Sequence, residues 1–270
     1  MHNNLTKLSK AFASHLAMVT IAAIALPAAA FQPLITDDTG TQGSGGNQLE
    51  LSISEDRART AGITDRTLTV PIGYTRGLID SLDIFAGFGY ARIRSGTPGG
   101  DASGGGNPSI GAKWRFYESE DGNTSFALKP ELFLPVSAER EGAGLGTGEI
   151  SGALTFILSQ NVPFGSVHLN ASVGRDRYRD ALASPDVTTA RASIAPVWDL
   201  SEQWKLALDL GTESARAGGS SVRANFVELG AIYSASKALD FAFGIVSSSD
   251  NASPRTTTRS AIAGITWRFQ

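Results

Sequence analysis

The sequence predicts an all-β fold: a transmembrane antiparallel up-and-down β-barrel of about 12 strands that follows a cleaved signal peptide. Three observations predict it. They are an export signal at the N-terminus, twelve segments in which apolar and polar residues alternate, and tryptophans that gather near one end of those segments. The composition agrees, since 18% of the 270 residues are charged, 30 are glycine, and no apolar run long enough for a membrane-spanning helix follows the export signal.

The N-terminus has the three parts of a secretory signal peptide. Lys7 and Lys10 form the positive region, residues 16–26 (LAMVTIAAIAL) the apolar region, and residues 28–30 (AAA) the small side chains that signal peptidase requires. The apolar run is too short to span a bilayer as a helix, which takes about 20 residues. We predict that residues 1–30 are a signal peptide; the alternative is a buried N-terminal helix.

The remaining chain has a period of two, which is the side-chain period of a β-strand. Residues 204–210 (WKLALDL) show it clearly, because every even position is apolar. The segments are also long enough for tilted membrane strands, which need about 9–11 residues. The barrel is therefore predicted over residues 48–270. Its predicted strands are 48–57, 66–76, 81–92, 107–117, 124–135, 147–159, 165–177, 187–198, 203–215, 222–233, 238–248 and 257–269.

The connections alternate in length. Every second one is short, and the others are mostly longer and rich in glycine, such as residues 93–106 and 136–146. Outer-membrane barrels have short periplasmic turns and longer outer loops. An even strand count then places both ends of the mature chain in the periplasm.

The aromatic residues support this orientation, because aromatic rings prefer the boundary between water and lipid. All four tryptophans lie at predicted periplasmic strand ends: Trp114, Trp198, Trp204 and Trp267. We expect a thinner outer rim of Tyr90, Tyr178 and Phe226. Three prolines inside predicted strands, Pro71, Pro130 and Pro196, should mark bulges or strand ends, because proline cannot donate to a ladder.

The same alternation predicts which side chains line the lumen, because a charge on the lipid face costs about 2–4 kcal/mol for Arg or Lys at the midplane. Both charge signs occur in near balance, so no ion preference is predicted. The lining either selects polar or amphipathic solutes in a narrow pore, or it is a network of salt bridges that only stabilises the barrel. The predicted lumen-lining, candidate solute-contacting residues are Glu50, Asp83, Lys113, Arg115, Lys129, Glu131, His168, Asn170, Arg191, Lys205, Asp209, Glu228, Asp240 and Arg268.

Residues 31–47 precede the first predicted strand and are polar and rich in turn formers. Asp37 and Asp38 would face a lumen that contains arginine and lysine. We therefore hypothesise that this periplasmic N-terminal segment folds into the lumen as a plug and narrows the pore. The alternative is a mobile periplasmic tail.

Enzyme and metal motifs give little support for other functions. The composition has no cysteine, which excludes disulfides and a thiol nucleophile, and its net charge of −3 argues against nucleic acid as a partner. The mature chain has one histidine, His168, with Asn170 nearby, so a zinc site is not expected. A structural or pore-lining His168 is favoured over a hydrolase base. We predict no metal and no cofactor.

Several segments resemble the outer-membrane transporter family called the "MetA-pathway of phenol degradation". The specific match is the opening of the mature chain, residues 31–41 (FQPLITDDTGT) and 43–52 (GSGGNQLELS). Weaker matches are residues 106–116 and 130–135, residues 144–148 and 168–170, and the closing residues 263–269. The resemblance implies a bacterial outer-membrane barrel that moves small compounds, aromatic ones among them. Outer-membrane barrels usually end on an aromatic residue, whereas Gln270 follows Phe269 here.

Taken together, the sequence predicts an outer-membrane barrel, not an enzyme, that lets small aromatic or amphipathic solutes pass through its lumen. Its expected partners are outer-membrane lipid, the barrel assembly machinery and the small-molecule solute. The alternative is a structural or adhesive barrel with a closed lumen and no transport. A third hypothesis, an outer-membrane hydrolase, is disfavoured by the isolated histidine.

Overall fold

The computed structural model describes residues 32–180 and 184–270, so the predicted signal peptide lies outside the described residues. Twelve long antiparallel strands form the wall, and a short strand, β4, and a five-residue helix, α1 (Ala138–Gly142), lie in connections. No helix in the described ranges is long and apolar enough to cross a membrane. The strands are β1 (Asn47–Thr60), β2 (Ile63–Ile79), β3 (Leu82–Arg94), β4 (Ala102–Gly105), β5 (Ser109–Glu118), β6 (Thr124–Phe133), β7 (Ser151–Val162), β8 (Gly165–Asp176), β9 (Val187–Asp199), β10 (Trp204–Ala217), β11 (Ser220–Ser236), β12 (Leu239–Asp250) and β13 (Thr256–Phe269).

The barrel closes through β1, which pairs with β2 on one side and with the last strand, β13, on the other. The register with β13 is unbroken from Asn47 opposite Phe269 to Thr60 opposite Thr256. Strand β3 pairs with β5 as well as with β4, so β4 is an addition at the outer end of the wall. A closed sheet has no free edge and satisfies its own backbone in hydrocarbon. The predicted fold class is confirmed.

Side chains alternate between the outer surface and the lumen along the barrel strands. In β1, Leu51 and Ile53 are 45% and 47% exposed, whereas Glu50 is 3% exposed. In β10, Leu206 and Leu210 are exposed, and Ala207 and Asp209 are buried. Exposed aliphatic side chains suit a hydrocarbon solvent, and the buried polar ones line the interior.

The two ends of the barrel differ. We call the end that carries the start of β1 and the end of β13 the periplasmic end; its turns run from two residues, at 80–81, to five, at 119–123. All four tryptophans lie near this end, and Trp114 pairs with Leu82, the first residue of β3. The outer connections 95–108, 134–150 and 177–186 are long, as expected.

Two of the other outer connections are shorter than the predicted loops. Only Ala61 and Gly62 join β1 to β2, and only Gly218 and Gly219 join β10 to β11. All four residues have positive φ angles, which matches the twist of a tight two-residue hairpin. These strand pairs continue past the predicted strand ends, so most residues of the two predicted loops belong to strands.

The three strand prolines do not mark bulges or strand ends, so that expectation is wrong. Each proline lies in a strand interior. Two residue pairs are missing from one of its two ladders at this point, and the register is the same on both sides of the gap, for Pro71, Pro130 and Pro196 alike. Each keeps its pairing with the other neighbouring strand, as Pro130 does opposite Leu154. Because the missing N–H would point to only one of the two neighbouring strands, only that ladder is interrupted, and its register does not shift.

Candidate functional site: the lumen and its strap

The residues that precede β1 run through the lumen. We call residues 32–46 the strap. It begins beside β13 and follows the inside of the wall past β12, β11 and the strands between, ending against β2. Leu34, Thr36 and Asp37 are 1%, 0% and 3% exposed. The strap therefore lies between opposite walls of the barrel.

Asp37 is the electrostatic centre of the strap. Its two carboxylate oxygens accept hydrogen bonds from the ammonium groups of Lys113, at 2.9 Å, and Lys129, at 2.8 Å. With its carboxamide oriented to suit its neighbours, Asn170 donates to the backbone oxygen of Asp37 and accepts from its backbone nitrogen, at 2.9 and 2.7 Å. Burial alone would raise the pKa of Asp37, but the two lysines outweigh it and hold the pKa below its usual range.

The strap's backbone is bound by carboxylates on the opposite wall. The N–H of Thr36 donates to Asp209 Oδ2 at 2.7 Å, and the N–H of Ile35 donates to Glu228 Oε2 at 3.2 Å. The hydroxyl of Thr36 donates to Asp209 Oδ1 at 2.7 Å, and its oxygen lies 2.6 Å from Ser193 Oγ. These bonds replace the water that a segment without secondary structure would otherwise need for its polar backbone.

Past Asp37 the strap contacts hydroxyl groups and then turns. The N–H of Thr39 donates to Ser159 Oγ at 3.0 Å, and the Thr39 and Ser125 hydroxyls lie 2.5 Å apart. Asp38 accepts from the N–H of Gly40 at 2.6 Å, and its backbone oxygen accepts from Lys113 at 3.1 Å. Asp37 therefore lies between two lysines of the wall, whereas the side chain of Asp38 caps a turn and has one oxygen 3.8 Å from the ammonium group of Lys113.

Glycines in the wall leave room for the start of the strap. A Cβ atom on Gly230 would lie 2.9 Å from Pro33 Cγ and 3.0 Å from Leu34 Cδ2. One on Gly244 would lie 3.1 Å from Pro33 Cβ. Both glycines are in strand interiors, on the inward-facing side. The wall is thus shaped to accept the strap at this point.

The end of the strap is fixed to β2 and β3. The N–H of Gln42 donates to both carboxylate oxygens of Asp83, at 3.1 and 3.0 Å. Gly77 then exchanges backbone hydrogen bonds with the strap, accepting from Gly45 at 3.0 Å and donating to Gly46 at 2.9 Å. A Cβ on Gly77 would lie 1.8 Å from the oxygen of Gly43, so this contact requires glycine.

The fourteen sequence-predicted lumen residues all occupy inward-facing positions of their strands, but they form two groups. The first group binds the strap directly: Asp83, Lys113, Lys129, Asn170, Asp209 and Glu228. Glu50, Glu131 and His168 are buried beside it. The second group is engaged by other wall residues, in the pairs Arg191–Glu213, Arg268–Asp240, Lys205–Asp199 and Arg115–Glu118.

Sequence reasoning missed several residues of this site. Glu213, which binds Arg191, shares the inward side of β10 with Asp209, so the period of two could have identified it. The predicted set contains charged residues with His168 and Asn170 and omits the serines that bind the strap. They are Ser125, Ser159 and Ser193. Among the described residues no group of three or more acidic, histidine or cysteine side chains is placed to hold a metal ion.

Apolar side chains line the lumen beside the strap. Ile35 packs with Phe226, Val246 and Ile262, all inward-facing. The expectation that Phe226 belongs to an aromatic rim on the outer surface is wrong, because it is 6% exposed and points into the barrel. The lumen therefore presents an apolar surface next to the carboxylates of Asp209 and Glu228.

Comparison with known proteins gives one family. The model of the family described as "Putative MetA-pathway of phenol degradation" matches residues 30–269. No curated protein matches this chain.

Solved structures share the architecture at low sequence identity. The COG4313 outer-membrane channel from Pseudomonas putida F1 is 13% identical, with 86% of this chain and 98% of that chain covered and a TM-score of 0.69. The β-domain of the Bordetella autotransporter BrkA is 15% identical, with 84% and 100% covered and a TM-score of 0.53. The NanC porin is 9% identical, with 80% and 98% covered and a TM-score of 0.50. The likeness shows that this chain has the fold of a bacterial outer-membrane barrel.

Proposed function

Because the chain belongs to the MetA-pathway of phenol degradation family, we propose that it is a bacterial outer-membrane channel that small solutes cross passively. The observation that carries the proposal is the content of the barrel. The lumen holds a segment of chain that precedes the first strand and is bound to the wall by polar contacts. A segment held in this way can be displaced without unfolding the wall, whose ladders are complete without it.

The lining favours solutes that combine an aromatic or aliphatic part with a polar group. Phe226, Val246 and Ile262 supply an apolar surface, and the carboxylates of Asp209 and Glu228 lie at the same stretch of the strap. On the opposite wall the ammonium group of Lys129 lies 5.1 Å from the ring centre of Phe85. The family description, which refers to phenol degradation, agrees with this class of solute.

We further propose that the strap is the plug of this channel. Its support is the burial of Thr36 and Asp37 between opposite walls, with Asp209 on one side and Lys113 and Lys129 on the other. Displacement of the strap would widen the route and expose the charged groups that it covers. Passage would then depend on how often the strap leaves its wall contacts.

We propose no enzymatic activity. His168 is the histidine that a hydrolase would need, and its two ring nitrogens lie 2.8 Å from Ser159 Oγ and 2.9 Å from Ser166 Oγ. Ser159 in turn binds the strap. These contacts support a role for His168 in the wall of the lumen. The further partners that we propose are outer-membrane lipid around the barrel and the assembly machinery that inserts it.

The second candidate is a closed structural barrel, and the completeness of the strap's contacts favours it. Reconstitution separates the two. The full-length mature chain is inserted into planar bilayers, and into vesicles in which swelling reports entry of 4-hydroxybenzoate or arabinose. A channel gives discrete conductance steps and faster swelling with the aromatic acid than with the sugar. Persistent silence from protein that is demonstrably folded supports the closed barrel.

The plug is tested by the same assays on a mature chain that lacks residues 31–45. If the strap narrows the lumen, this variant conducts at least several times more current per channel than the full mature chain. Equal conductance of the two would contradict the plug and leave the channel itself standing.

A further inference from the structure

Four arginines form one row across four neighbouring strands near the outer end of the barrel. Arg57 of β1 lies opposite Arg259 of β13 on one side and opposite Arg66 of β2 on the other. Arg66 in turn lies opposite Arg94 of β3. The row is therefore continuous in the register Arg259, Arg57, Arg66, Arg94, with one strand spacing of about 4.8 Å between neighbours.

All four side chains are on the outer surface of the wall. Each is exposed, and the inward-facing neighbour of Arg57 in the same strand, Ala58, is buried. The outward-facing side of β1 is apolar at Leu51 and Ile53 and becomes charged two residues further on, at Glu55. The row thus lies just beyond the outer edge of the apolar surface.

The register also gives the depth of the row in the membrane. Trp267, Leu49, Tyr74 and Ala86 form a parallel row near the periplasmic end, and on each of the four strands the arginine lies eight residues further toward the outer end. Eight residues of strand span about 26 Å, or about 20 Å along the membrane normal at a tilt near 40°. The apolar band of such barrels is about 25 Å tall, so the arginines lie near its outer boundary, and their long side chains can reach the headgroup layer.

Like charges on directly paired strand positions repel one another, so such a row calls for an anion. Glu55 supplies part of it, through an ion pair with Arg57 at 2.7 Å in which both side chains are about half exposed. Glu55 is one carboxylate against four guanidinium groups. The remaining positive charge faces outward, at the depth where lipid headgroups lie.

We propose that this row is a binding site for the phosphate groups of an anionic glycolipid in the outer leaflet of the membrane. A guanidinium group binds phosphate oxygens through two parallel N–H donors, which makes arginine well suited to this headgroup. Neighbours one strand apart can bind the same phosphate or adjacent phosphates. The bound lipid would neutralise the row and hold this side of the barrel in the outer leaflet.

Two other arginines on the outer surface provide a matched control. Arg216 of β10 lies opposite Thr188 and Ser221, and Arg223 of β11 lies opposite Ser214. Both are exposed and close to the outer end, yet neither has an arginine at its paired position. Removal of these two charges alters the net charge of the barrel as much as removal of two charges from the row.

The experiment measures binding of diphosphorylated lipid A to the delipidated, detergent-solubilised mature chain by native mass spectrometry. The variant R57Q/R66Q should bind at least tenfold more weakly than wild type, and R216Q/R223Q should bind within twofold of it. Wild type should also bind monophosphorylated lipid A more weakly than the diphosphorylated form.

Equal weakening in both double variants would show attraction by net charge alone and would overturn the site. Unchanged binding in R57Q/R66Q, or equal affinity for lipid A with and without its phosphates, would overturn it as well. Heat modifiability on gels reports whether each variant folds. If R57Q/R66Q fails to fold, a second variant of the row, R94Q/R259Q, is used for the same comparison.

Discussion

Replacement of Asp37 by alanine removes the carboxylate that Lys113 and Lys129 share. All three side chains are nearly fully buried, with 5%, 9% and 6% of their surfaces exposed. When one partner of a buried ion pair is removed, the charge left behind costs about 3–5 kcal/mol. When the strap undocks, both lysines return to water. The cost of the unpaired charges therefore destabilises only the docked state. The undocked fraction should therefore rise by about two to three and a half orders of magnitude, at about 1.4 kcal/mol per factor of ten.

The assay is the rate at which a maleimide labels a cysteine placed at Thr36, which is 0% exposed in the docked strap. The chain has no cysteine of its own, so the label reports this site alone. When the strap recloses faster than the label reacts, the rate is proportional to the undocked fraction. The D37A variant should then label at least a hundred times faster than its T36C parent.

The control removes a different carboxylate from the lumen. D240A disrupts the ion pair of Asp240 with Arg268, at 2.6 Å, which does not involve the strap. It should leave the labelling rate within about twofold of the parent. An increase of less than tenfold in D37A would show that the ion pairs of Asp37 do not hold the strap in place.

Three further predictions use the same barrel. Because the pKa of Asp37 lies below its usual range in the docked state, its contribution to docking is complete at neutral pH and is lost as pH falls below about 4. Labelling of T36C, measured relative to a fully exposed thiol at the same pH, should therefore accelerate there more than labelling of T36C/D37N. Ile53→Arg places a charge on the lipid face and should reduce folding into vesicles by about 2–4 kcal/mol, whereas Ser54→Arg, which points into the lumen, should change it by less than half as much; equal losses would contradict the facing assignment. Gly230→Ala should speed labelling because its methyl group meets the ring of Pro33, whereas Gly264→Ala should change the rate less, because its methyl group meets the flexible end of Gln32 and the Cβ atom of Ser52 at 3.3 Å; similar rates in both would refute the close fit of the strap.

The fold could be predicted because a period of two is a local property. Leu208 and Asp209 are adjacent in sequence and must point to opposite faces, whatever the rest of the chain does. The strand ends are harder to predict from sequence. β1 continues to Thr60 and β2 begins at Ile63, beyond the predicted ends at 57 and 66, because the outer parts of these strands leave the hydrocarbon and lose their apolar alternation.

The lumen-facing residues could be predicted from the same alternation, but their partners could not. Asp37 binds Lys113 and Lys129, which are 76 and 92 residues away in the chain. A side-chain pattern gives the face of a strand and not the segment that packs on that face. Residues 31–41 carry the most specific part of the family resemblance. The path of this segment along the wall is visible only in the structure.

Glycine is the residue type whose role was least visible in the sequence. Gly230 and Gly244 lie in strands, where glycine has no favourable local effect. Their reason is the approach of Pro33 from the other end of the chain. The same holds for Gly77, which is paired with the end of the strap.

The most direct test of the account is to lock the strap and measure passage. Thr39 and Ser125 have hydroxyl oxygens 2.5 Å apart, so the variant T39C/S125C can form a disulfide between strap and wall in a chain that has no other cysteine. Solute flux and conductance are measured in oxidised and then in reduced vesicles, with T39C alone as the control. We expect the oxidised variant to pass solute at least several times more slowly, and reduction to restore the rate. Equal flux with the strap locked and free would contradict this expectation.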